Sequence, residues 1–166
     1  MPLTSLVAAA GMLIGGPTFH AAQTFFVPLY AGLVVIGFSV GALIGQSRRA
    51  AWLAGLLTLF SGFFMPYWTT TATFAPFGVT GVLCLLAIGQ GRRAGHWRWY
   101  AAAGALAALA HLTRADGLLL LIVLFVVALW PGFPAKKRWQ SVIAGLLAYL
   151  LVMTPWFVRN LNAIGL

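Results

Sequence analysis

Residues 22–45 read AQTFFVPLYAGLVVIGFSVGALIG, from Ala22 to Gly45, and carry no charge at all. As a helix at 1.5 Å per residue this stretch covers about 36 Å, enough to cross a bilayer core roughly 30 Å thick. Apolar and polar side chains do not alternate along it, so it does not read as a half-buried strand. In lipid each backbone N–H and C=O must be satisfied within the structure, which leaves the helix. Five further apolar stretches follow the same logic, at about Ala50 to Met65, Phe74 to Gly89, Trp99 to Leu112, Gly117 to Trp130 and Gln140 to Phe157. The expected fold is therefore all-α, a polytopic transmembrane helical bundle of about six spans, forming a single membrane domain over residues 1–166. Leu3 to Ile14 is apolar but too short to cross, and it reads as an interfacial or partly buried helix. With no Lys or Arg before Arg48, that segment does not read as a signal peptide.

Composition points the same way. The chain is 62% hydrophobic and only 7% charged, against about 25% charged in soluble domains, so no polar shell could cover its core. The hydrophobic excess excludes disorder, and the single cysteine, Cys84, excludes a disulfide framework or a thiolate cluster. A formal charge of +9 raises the possibility of nucleic acid. The placement of the charges answers it: Arg48 and Arg49, then Arg92, Arg93 and Arg98, then Lys136, Lys137 and Arg138 fall in every second connection between spans. That is the bias of cytoplasmic loops, so the expected partner is the lipid bilayer and not nucleic acid. The remaining connections hold only Arg114 and Arg159, and they are assigned to the outside. The tryptophans lie near the ends of the spans, where an indole is half wet.

Gly37, Gly41 and Gly45 stand four apart on the first span, a spacing that admits close approach by another helix. Packing within the chain is the plain reading; a face that joins a second chain is the other. Pro28, Pro66, Pro76 and Pro155 each break a hydrogen bond or start a helix.

The chain's one acidic residue lies in His111-Leu112-Thr113-Arg114-Ala115-Asp116-Gly117. From Trp97 to Trp130 there are 34 residues, whereas two full spans and a turn need more than about 40. The hairpin is short, and its tip is expected below the outer interface, with Arg114 and Asp116 recessed. A charge at depth requires a partner or a watery cavity. Asp116 just before Gly117 has the chemistry of an N-cap for the following helix, with Arg114 neutralising it. Arg114 is equally a bidentate partner for a phosphate. His111, one turn earlier, either shares that cavity or is simply hydrogen-bonded. The outward loop from Met65 to Thr73 supplies Tyr67 and Trp68 beside a run of threonines, a surface for stacking sugar rings or an ordinary interfacial belt. Thr154-Pro155-Trp156-Phe157-Val158-Arg159-Asn160 brings Arg159 to the same side. Hard metal ions need several oxygen ligands, so with one carboxylate no metal or other cofactor is expected.

Three of these stretches together resemble the GT-C membrane glycosyltransferases of bacteria, relatives of the protein mannosyltransferases and the lipid A aminoarabinose transferase. Ala108 to Leu119 is similar to their "LA-x-LTR-x-xG-LL" hairpin, Thr154 to Asn160 to a following "PW-x-x-RN", and Arg48 to Leu57 to their short third helix. The resemblance implies a bacterial inner-membrane enzyme that moves a sugar from a polyprenyl-phosphate carrier to an extracytoplasmic acceptor. It also implies that Arg114 contacts the carrier phosphate and that Arg159 adds a second contact. Members of the family are longer and begin with a helix whose outward loop carries an acidic base. Met1 to Gly16 resembles the segment after that loop, so the chain reads as a fragment without the catalytic acidic loop. A second family acid would fall near Ala72 or Thr73 and is not present. The rival from another class is a transporter or lipid-flippase subunit, although coupled transport usually places carboxylates inside the spans.

Overall fold

A computed structural model describes residues 2–61 and 69–165. Within them the chain is all-helical, with no strand. The helices are α1 (Pro2–Gly15), α2 (Phe19–Gln23), α3 (Phe26–Gly45), α4 (Arg48–Leu59), α5 (Phe74–Ala94), α6 (Trp97–Thr113), α7 (Leu118–Leu129) and α8 (Ala135–Ile164), with a 3₁₀ turn over Ala115–Gly117. Three helical stretches are long and apolar enough to cross a membrane, namely Phe19–Gly45, Phe74–Ala94 and Ala135–Ile164. They point to a membrane protein. By contrast α4 and α7, with 12 residues each, cover about 18 Å, and α6, with 17, about 25 Å. A count of six spans therefore needs helices shorter than a bilayer core.

The first long stretch is broken between α2 and α3. Pro28 sits in the first turn of α3 and has no N–H to offer the carbonyl of Thr24. At the end of α2 the Thr24 N–H donates to the Ala21 carbonyl at 3.1 Å, a three-residue closure that ends the short helix. Elsewhere the helix starts follow local chemistry. Ser47 Oγ accepts the Ala50 N–H at 3.1 Å, and His96 Nδ1 accepts the Arg98 N–H at 3.3 Å. Pro155 is carried within α8, which stays helical for 30 residues.

The helices group into two compact units, Leu3–Val79 and Thr80–Leu166. In the first, α3 packs along α4 through the glycine stripe. A Cβ on Gly41 would meet Ala54 Cβ at 2.5 Å and Ala51 Cα at 3.2 Å, and one on Gly37 would strike Thr58. The small-residue face is thus filled from within the chain, as the packing reading expects. Tyr30 OH closes this pair by donating to the Leu59 carbonyl at 2.5 Å, and Phe38 meets Trp52 edge-on at 5.3 Å.

In the second unit α6, α7 and α8 surround a core of Cys84, Tyr100, Ala103, Ala107, Leu124 and Met153. Ala103, Ala107, Ala108 and Ala110 of α6 lie fully buried, and their small side chains let α8 come close. The closest approach is glycine on glycine, because a Cβ on Gly104 would run into the Gly145 backbone. Gly104 faces Gly145 while His111 faces Tyr149, so α6 and α8 run in the same direction and α7 runs back between them in sequence. Where lipid surrounds such a unit, close van der Waals packing rather than water exclusion holds the helices together.

Candidate functional site

The tip between α6 and α7 is built by a close backbone approach. Arg114 leaves the helix in an extended conformation, and its N–H still donates to the Ala110 carbonyl at 2.9 Å. The Ala115–Gly117 turn then folds back against the last turn of α6, with Gly117 N–H donating to the Arg114 carbonyl at 3.0 Å. Gly117 has ordinary helical dihedrals, but a Cβ there would collide with the backbone of Ala110 and His111. Thr113, fully buried, spends its hydroxyl on the Ala110 carbonyl at 2.5 Å.

Asp116 does not cap α7. No side chain caps that helix, and Asp116 Oδ2 instead accepts from Arg114 Nε at 3.1 Å and Nη2 at 2.8 Å. The 3₁₀ turn explains the change: it places the acid inside a turn of its own, two residues from the arginine, so the carboxylate faces the guanidinium. The two side chains are 35% and 56% exposed, and pairs that accessible contribute only about 0–1 kcal/mol.

His111 is hydrogen-bonded across the unit. Its Nδ1 lies 2.5 Å from Tyr149 OH on α8, with the rings nearly parallel at 29° and 6.1 Å apart. Tyr149 is the residue that sequence reasoning missed. The available signal was a lone phenol within an apolar run, Leu147 to Leu151, because a buried tyrosine hydroxyl needs a partner. Arg159, exposed on α8, rests its guanidinium over the Trp156 ring at 4.9 Å. Tyr67 and Trp68 lie outside the described residues.

The helix rise supplies a ruler for these positions. Arg159 is ten residues beyond Tyr149 on α8, or about 15 Å. Arg114 is three residues beyond His111 on the parallel helix α6, or about 5 Å. By this ruler the hairpin tip stops about 10 Å short of the level of Arg159, and about 6 Å short when the facing Gly104 and Gly145 are taken as level. At the opposite end of the unit, Arg92 donates to the carbonyls of Trp130, at 3.1 Å, and Pro131, and Arg138 donates to the Leu129 carbonyl at 3.1 Å. Arg138 and Arg159 are 21 residues apart on α8, about 32 Å. That length matches the hydrocarbon core of a bilayer.

Among the described residues, no group of three or more His, Cys, Asp or Glu side chains is placed to hold a metal. The apolar grooves at α3 and α4 and between α6 and α8 do not include Arg114 or Asp116. No protein-family model matches the chain, no curated protein matches it, and no solved structure matches it.

Proposed function

We infer that the chain is part of an integral-membrane glycosyltransferase that takes a sugar from a polyprenyl-phosphate carrier on the extracytoplasmic side of a bacterial inner membrane. The observation that carries this reading is the short α6–α7 tip, which leaves Arg114 about 6–10 Å short of the level of Arg159 along the helix direction. A carrier phosphate at that depth keeps its isoprenoid tail in lipid and meets a planar guanidinium with two N–H groups to offer. The ion pair with Asp116 supports the exchange. It holds the arginine ready without binding it strongly, so a phosphate can displace the carboxylate at little cost. Arg159 then provides a second cation nearer the surface, for the sugar phosphate or for the approaching headgroup. Tyr67 and Trp68 remain the proposed sugar-stacking pair.

Glycosyl transfer also needs a group to accept the acceptor's proton. The one carboxylate side chain in the sequence, Asp116, is assigned to holding Arg114 before the donor arrives and not to that step. Arg114→Ala in the complete protein is expected to abolish transfer from a polyprenyl-phosphate sugar while the protein still inserts and folds. Asp116→Asn is expected to keep transfer and to lower the KM for the donor. Transfer that survives Arg114→Ala overturns the donor site. Flux of lipid across vesicles with no covalent change to the sugar moves the assignment to a transporter or flippase.

A further inference from the structure

The basic end of the second unit carries more cations than its own chemistry uses. Arg92 and Arg138 are engaged by backbone carbonyls. Arg93, Arg98, Lys136 and Lys137 are exposed. The chain's single carboxylate, Asp116, is bound by Arg114 at the other end of α6, about 25 Å away by helix rise. No carboxylate side chain of this sequence lies at the basic end to balance those cations.

At this end an apolar groove of about 280 Å³ lies along α8, lined by Gln140, Ile143, Ala144 and Leu147 and closed by Trp97, the first residue of α6. Its α8 wall follows helical spacing. Lys136, Gln140, Ile143, Ala144 and Leu147 fall on one stripe, which passes from ammonium to amide to aliphatic over about 16 Å. Helical side chains lean toward the N-terminus, so Lys136 extends past the mouth of the groove and away from its apolar floor. Arg98, next in sequence to Trp97, holds its guanidinium 5.8 Å from the ring of that groove residue.

We propose that this groove seats one anionic phospholipid. Its phosphate lies between Lys136 and Arg98, its ester region at Gln140 and the Trp97 indole, and an acyl chain along Ile143, Ala144 and Leu147. The charge balance selects an anionic headgroup. A zwitterionic lipid would bring its own cation to an end where no described residue offers a carboxylate. The proposal rests on the membrane placement alone and not on sugar transfer.

The test is a titration of the delipidated chain in detergent, followed by native mass spectrometry, with phosphatidylglycerol, phosphatidylcholine and inorganic phosphate as separate probes. Phosphatidylglycerol is expected to form a one-to-one complex that the other two do not form at equal concentration. Lys136→Gln and Arg98→Gln should each weaken it about fivefold. Ala144→Trp, which fills the groove and leaves every cation in place, should abolish it. Arg93→Gln, at the same end but outside the groove, should leave it within about twofold of the unaltered chain, since only diffuse attraction is lost. Equal binding of the two lipids overturns the proposal. So does an Arg93→Gln loss as large as that of Lys136→Gln, and so does phosphate binding as tightly as phosphatidylglycerol. The Lys136 and Arg98 variants change only exposed side chains, so the outcome does not depend on how Ala144→Trp packs.

Discussion

Gly117 shows what a single position enforces at the hairpin tip. Its φ of −57° suits any residue, so the need is for space and not for backbone freedom. A Cβ would be driven into the backbone of Ala110 and His111, and the turn that aims Asp116 at Arg114 would have to open. Gly117→Ala is expected to destabilise the unit by about 1–3 kcal/mol, read as a lower unfolding midpoint in denaturing detergent. Gly89→Ala is the control, because nothing lies within 4 Å of the added methyl, and it should leave the midpoint unchanged or raise it. The His111–Tyr149 pair is testable in the same assay. Tyr149→Phe keeps the ring and removes the hydroxyl, for an expected loss of about 0.5–1.5 kcal/mol; His111→Ala also removes the stacked ring and should lose more. Arg114 and Asp116 themselves contribute little to stability, as expected of an exposed pair.

At the scale of elements, the second unit depends on α6 and α8 meeting backbone to backbone. Gly104 and Gly145 make that possible, and the fully buried alanines of α6 continue the same flat surface. Gly104→Leu has no room and must push the helices apart. Cys84, the only cysteine, gives a built-in readout: its thiol is buried and donates to the Ala103 carbonyl at 3.3 Å. A maleimide should modify Cys84 slowly in the unaltered protein and at least about tenfold faster in Gly104→Leu, because local opening exposes it. Unchanged protection would show that the glycine contact is not what holds α6 to α8. The α3–α4 pair makes the corresponding statement for the first unit. Gly41 lies against Ala51 and Ala54, so a Gly41→Cys chain is expected to stay uncrosslinked to a second copy in detergent. Efficient dimer crosslinking would instead show that the stripe is open to a partner.

For the whole molecule, the decisive quantity is which end of the second unit faces which compartment. Arg114 and Lys136 lie at opposite ends of it, so with Cys84 replaced by Ala, a membrane-impermeant thiol reagent applied outside the cell should reach Asp116→Cys and spare Lys136→Cys. The reverse result would invert the chain and remove the donor site. Much of the architecture is legible in the residues themselves. The apolar runs and the prolines go far toward placing the helices, because backbone hydrogen bonding and side-chain hydration are settled within a few residues. The short Trp97–Trp130 hairpin is likewise visible by counting, since helix length follows residue number. The Arg114–Asp116 pair is legible too; that Asp116 leaves α7 uncapped is not. Two further features required the tertiary structure: α6 and α8 pair in parallel on facing glycines, and His111 finds Tyr149, 38 residues away. Each depends on what a side chain meets once distant segments or a tight turn have closed around it, and no local pattern of apolar and polar residues encodes that meeting.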